Sequence, residues 1–114
     1  MKLISIKGTQ IELTDAIKDY VNVKLEAIEK FTTDFGEAAQ ISIECGRTSG
    51  HHNKGNVYRC EMNLQVPGKL LRAEREAEDL YEAIDFVKDE LIRQIKDHKG
   101  ILADAHRGSR PDKA

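Results

Sequence analysis

Two stretches of this chain alternate apolar and polar residues strictly, and that pattern demands a sheet with one covered face. From Glu37 to Gly46, Ala39, Ile41, Ile43 and Cys45 fall on one side and Gln40, Ser42 and Glu44 on the other. From Val57 to Val66, Tyr58, Cys60, Met62, Leu64 and Val66 oppose Arg59, Glu61, Asn63 and Gln65. Strand side chains point to alternate faces, so each stretch presents an apolar face that something must bury. Leu3 to Gly8 is a shorter β-branched strand with Ile4 and Ile6 on one face. After a tight turn at Pro67-Gly68, Lys69 to Arg75 supplies a fourth strand with Leu71 and Ala73 inward.

Two segments have the helical period needed to cover that sheet. Thr14 stands where an N-cap belongs, so a helix is expected from Asp15 to about Phe31, with Ile17, Tyr20, Val21, Leu25, Ile28 and Phe31 along one side. The second runs from Asp79 to Lys99, with Leu80, Ile84, Val87, Leu91 and Ile95 in one stripe. Its charge is sorted by end: Glu78, Asp79, Glu82 and Asp85 come first, then Arg93, Lys96, His98 and Lys99. The helix dipole favours that order without any ligand. Gly100 reads as its stop, and Ala105 to Ala114 as an unfolded tail. The segment Gly46 to Asn56, rich in glycine and polar residues, reads as a long disordered connection.

The order β-α-β-β-β-α predicts an α/β two-layer sandwich, a four-stranded sheet with two helices packed on one face. The first two strands, joined by a crossover helix, should be parallel, and the remaining pairs antiparallel hairpins. With 114 residues and two prolines the chain has the size of one domain. No apolar run approaches a membrane span and the first ten residues lack the apolar centre of a signal peptide, so a cytoplasmic address is expected, with no membrane partner. Cys45 and Cys60 lack metal or redox-motif spacing and read as buried thiols.

Catalytic constellations are thin. His51-His52 lack the spacing of a zinc site, Asp79 and Asp85 read as solvated or capping groups, and neither GxGxxG nor GxxxxGK occurs. No enzyme activity, cofactor, metal or small-molecule substrate is therefore expected. Local charge is more informative. From Arg93 to Ala114 six lysines and arginines face three aspartates, giving +3 in a chain of net charge -2. If the helices lie side by side, Lys18, Lys24, Lys88, Arg93, Lys96 and Lys99 form a track able to receive a phosphate backbone.

The run LQVPGKLLRAE, followed by DLYEAID and LIRQIKDHK, resembles the ribosome hibernation promoting factor and ribosome-associated translation inhibitor family. IELTDAIKDYVNVKLEAIEKF occupies the place of that family's first helix. The resemblance implies a protein without catalytic activity whose partner is the small ribosomal subunit and its rRNA. There it would block the path of messenger RNA and of A- and P-site transfer RNA in stressed or stationary cells, stabilising inactive ribosomes or ribosome dimers. Basic residues at matching positions are Lys18, Lys24, Arg93 and Lys99, whereas Ala27, Glu90 and Asp97 stand where short members commonly have lysine; Lys88 and Lys96 would compensate. Tyr81 and Asp85 match the family's DxYxAID motif. The implied organisation is a short form, with residues 1–100 as the ribosome-binding domain, 101–114 as a short flexible tail, and no requirement for a stable homo-oligomer. The alternative is a protein-interaction module acting as a homodimer through its exposed sheet face.

Overall fold

The computed structural model describes residues 1–48 and 57–108. The chain runs β1 (Lys2–Thr9), α1 (Asp15–Glu29), a short 3-10 segment (Thr33–Ala38), β2 (Gln40–Arg47), β3 (Tyr58–Val66), β4 (Lys69–Ala77) and α2 (Leu80–Gly108). The strands form one sheet in the order β1-β2-β3-β4, with β1 parallel to β2 and the other two pairs antiparallel. This is the topology that the period of the sequence predicts. Gly68, at φ 83°, makes the turn between β3 and β4 in a conformation that a side chain disfavours.

One core accounts for the layering. Ile41, Ile43, Cys45, Cys60, Met62, Leu64, Val66 and Leu71 line the covered face of the sheet. Val21, Leu25 and Ile28 of α1 and Ile84, Val87, Leu91 and Ile95 of α2 join them in one buried cluster. Both helices therefore lie on the same face. The opposite face is polar: Arg59 bonds Glu61 at 3.1 Å and also meets Glu74, which Arg72 approaches at 3.5 Å. No helix among the described residues is long and apolar enough to cross a membrane.

Local chemistry sets the helix starts. The Thr14 hydroxyl accepts a hydrogen bond from the Ile17 amide at 3.2 Å, and an Asp79 carboxylate oxygen accepts one from the Tyr81 amide at 2.9 Å. Each satisfies an amide that has no partner inside its helix. Asp79 is thus the cap of α2 and not its first residue.

Four expectations are corrected. Ile4 does not share a face with Ile6: the β1–β2 register pairs Leu3 with Ile41 and Ser5 with Ser42, so Ile4 is the extra residue of an irregularity and is 51% exposed. The strand expected from Glu37 begins at Gln40, because Thr33–Ala38 coils into the 3-10 segment, broken at Gly36 (φ 56°). His98 is no surface cation of the helix end but is buried, with Nε2 3.2 Å from the Pro67 carbonyl oxygen. The second helix does not stop at Gly100. It continues to Gly108, since a glycine inside a helix costs only about 1 kcal/mol relative to alanine. Ala105 to Gly108 are consequently helical, and the rest of the expected tail, 109–114, lies outside the described residues, as do 49–56 of the expected disordered connection with His51 and His52.

Candidate nucleic-acid interface

Residues three, four and seven apart share a helix face. On α2 this rule puts Tyr81, Asp85, Lys88, Ile92, Lys96 and Lys99 along one flank, and their contacts identify it as the flank facing α1. The Lys24 ammonium lies 3.0 Å from an Asp85 carboxylate oxygen, and the Tyr20 hydroxyl donates to the same carboxylate at 2.7 and 2.8 Å. Tyr20 and Tyr81 meet edge to face at 4.8 Å. Farther along, Lys96 stands 4.9 Å above the Phe31 ring. Lys99 lies 5.5 Å from the centre of the Phe35 ring and 3.4 Å from an Asp34 carboxylate oxygen. Lys88, between these two groups, pairs with Asp89. This flank of α2 thus carries Lys88, Lys96 and Lys99 in one row with Lys24 of α1 at its start; Lys96 and Lys99 face Phe31, Asp34 and Phe35 of the segment that follows α1, so the seam runs on past the end of that helix.

The other two expected cations stand elsewhere. Arg93 shares the opposite flank of α2 with Phe86, Glu90 and Asp97, the side toward β4, where Arg75 lies 4.2 Å over the Phe86 ring. It is held by its own helix, by Glu90 one turn back and by Asp97 at 2.8 Å one turn on. Lys18 shares a flank of α1 with Asn22, Leu25 and Glu29. That flank borders β1: Asn22, Leu25 and Glu29 line a groove with Met1 and Leu3, and Glu29 meets the Met1 ammonium at 3.3 Å. The helices do lie side by side, but four of the six cations share the seam and two face away from it.

Charge within the seam is tuned by the Asp85 cluster. Burial pushes the Asp85 carboxyl upward, but hydrogen bonds from Tyr20 and Lys24 outweigh this and hold it below the ordinary carboxylate value. The same carboxylate raises Lys24 and Tyr20 above their ordinary values through those hydrogen bonds. Lys24 is therefore a firmly charged group whose first partner is an acid of the facing helix. Arg93 is raised and Glu90 lowered by their mutual hydrogen bonding.

Asp85 keeps a partly solvated side chain, as expected, but it is not a cap: it is the acceptor that ties α1 to α2. Tyr20, Phe31, Phe35 and Asp34, which orient the seam cations, were not legible as site residues. Tyr20 and Phe31 look like ordinary members of an apolar stripe, and partners 65 residues apart leave no periodic trace. The DxYxAID run was the available signal, since it contains both Tyr81 and Asp85. No group of three or more metal-ligating side chains occurs among the described residues.

A family model described as Sigma 54 modulation protein / S30EA ribosomal protein matches residues 4–102. A ribosome hibernation promotion factor of Deinococcus radiodurans is 29% identical over 98% of this chain and 56% of its own length. A ribosome hibernation promoting factor of Azotobacter vinelandii is 32% identical over 95% of this chain and 92% of its own. The chain spans about half of some relatives, such as 49% of the Picosynechococcus factor. Among solved structures, the Thermus thermophilus Protein Y N-terminal domain superposes with a TM-score of 0.70 at 31% identity, covering 86% of this chain and 99% of that one. A ribosomal subunit interface protein from Coxiella burnetii has the same fold, with a TM-score of 0.71 at 19% identity over 88% of this chain and 99% of its own.

Proposed function

The chain belongs to the Sigma 54 modulation protein / S30EA ribosomal protein family, and from that premise we propose that it is a ribosome hibernation factor acting in the cytoplasm. It binds the small ribosomal subunit through rRNA phosphates at the decoding region, where it blocks messenger RNA and the A- and P-site transfer RNAs. No chemical step is required, and the protein is not an enzyme. The observation that carries this reading is the row of Lys24, Lys88, Lys96 and Lys99 along the α1–α2 seam.

Physically, the seam is suited to a phosphate backbone. Its ion pairs are solvent-accessible and individually weak, worth about 0–1 kcal/mol, so a phosphate can replace a carboxylate without a large barrier in free energy. Phosphate contacts position a protein but read little sequence, so selectivity comes from the fit of two rigid helices into a shaped RNA surface. Lys18 and Arg93, on the outer flanks, extend the contact beyond the seam. The binding unit is residues 1–100, and the helical end of α2 projects from it.

The experiment is sedimentation with purified small subunits at low salt. The protein is expected to travel with the subunit, to be displaced by transfer RNA, and to dissociate as salt rises. Protein remaining at the top of the gradient at low salt, or binding indifferent to transfer RNA, overturns the reading.

A further inference from the structure

The antiparallel register of β2 and β3 sets Cys45 directly opposite Cys60. Both side chains point into the covered face, both residues have no exposed surface, and both are free thiols. Opposed residues of an antiparallel pair have Cα atoms about 4.5–5.5 Å apart, inside the range of about 4.4–6.8 Å spanned by disulfides. The strands need not separate or slide for a bond to form. The chain has only these two cysteines, so neither has a competing partner within the molecule.

Their chemistry is unequal. The Cys45 thiol is lowered by its hydrogen bond with Cys60, while Cys60 is pushed up by that contact and by burial. One proton is lost from the pair before the other, and Cys45 is the better thiolate. Access is also provided by the topology. Beyond the cysteines, the described part of the hairpin pairs Gly46 with Arg59 and Arg47 with Tyr58 and bonds the Thr48 amide to the Val57 carbonyl at 2.8 Å, while Thr9 of β1 pairs with Gly46 and Ala77 of β4 with Tyr58 on the outer sides. Strand ends open at far lower cost than a whole domain unfolds, so fraying of these pairs admits a small reagent.

We propose that Cys45 and Cys60 are a thiol pair poised for reversible oxidation by a hydroperoxide to an intramolecular disulfide across β2 and β3. In the first step the Cys45 thiolate attacks one peroxide oxygen; the O–O bond breaks, hydroxide leaves, and Cys45 becomes a sulfenic acid. The Cys60 sulfur then attacks the Cys45 sulfur and displaces hydroxide. Two thiols and one hydrogen peroxide give one disulfide and two waters, the sulfurs together losing two electrons to the peroxide. The bond closes the segment between the cysteines and restricts the unfolded chain, so the oxidised form is the more stable. It lies on the buried face of the sheet and leaves Lys24, Lys88, Lys96 and Lys99 untouched.

The test treats the folded, reduced full chain with hydrogen peroxide, blocks remaining thiols with an alkylating agent in denaturant, and measures intact mass and the peptide map. The expected product is a monomer lighter by two hydrogens, carrying no alkyl group, with Cys45 and Cys60 joined in one cross-linked peptide. Dithiothreitol restores both thiols, and the oxidised form unfolds at higher urea than the reduced one. A folded protein that keeps both thiols, gains oxygen atoms on Cys45 or Cys60, or forms a disulfide between two chains overturns the proposal, whereas oxygen mapped to the two methionines does not bear on it. So does an oxidised monomer whose urea midpoint is unchanged or lower.

Discussion

The Tyr20 hydroxyl donates to both carboxylate oxygens of Asp85, at 2.7 and 2.8 Å, across 65 residues of chain and from one helix to the other. The Lys24 ammonium closes on the same acid, so a single carboxylate fixes the spacing of the two helices where the row of seam cations begins.

Removing that acceptor therefore loosens the seam. Asp85→Ala leaves the Tyr20 hydroxyl and the Lys24 ammonium without their common partner, and is expected to lower stability by about 1 kcal/mol after discounting for the solvent that reaches the site. Urea denaturation measures this, and Tyr20→Phe should give a smaller loss because Lys24 still pairs.

The Asp85 cluster also has a pH signature. Its carboxyl lies below its ordinary value of 3.8 in the folded chain, so the unfolded chain takes up the proton first. The contribution is full above that ordinary value and is lost as the pH falls through the lower folded value. A series of urea midpoints from pH 5 downward should decline, less steeply for Asp85→Asn than for the parent chain.

Position along the seam predicts which cations matter most for ribosome binding. Lys88→Gln with Lys96→Gln should weaken association and reduce the slope of log affinity against log salt by about 1.5–2. Lys18→Gln, on the flank toward β1, should do less. Equal losses per cation removed, read by co-sedimentation at several salt concentrations, contradict a contact centred on the seam.

Arg93 is restrained by acids of its own helix, and releasing it should strengthen a phosphate contact. Glu90→Gln with Asp97→Asn removes both, with an expected gain of about twofold in affinity for small subunits at low salt that fades as salt rises. A loss of affinity would show that these carboxylates do not compete with RNA.

Two glycines should respond in opposite directions to alanine. A Cβ at Gly46 would lie 2.5 Å from the Thr9 carbonyl oxygen, at the join of β1 and β2. Gly46→Ala should cost about 1–3 kcal/mol. A Cβ at Gly100 meets nothing within 4 Å, and Gly100→Ala should raise helix content and stabilise the end of α2 by about 0.5–1 kcal/mol. Circular dichroism and urea denaturation of the two variants read both effects.

The sequence by itself determined the elements and their order, because the signals behind them are local. Alternation along β2 and β3 assigns each residue to a face, the stripes of α1 and α2 set what each buries, and Thr14 and Pro67-Gly68 mark a helix start and a turn. A crossover helix between β1 and β2 then leaves parallel pairing as the expected arrangement. Tertiary structure decided what local periods do not encode. The extra residue Ile4, the burial of His98 against Pro67, and the passage of α2 through Gly100 each depend on neighbours distant in sequence or on the balance of a small local cost. The site depended on it most. Which cations form a row is set by the rotation of each helix about its own axis against the sheet and against the other helix. That rotation brings Lys24 to Asp85, Lys96 to Phe31 and Lys99 to Asp34 and Phe35, with Lys88 in the same row against Asp89, and turns Lys18 and Arg93 to the outer flanks.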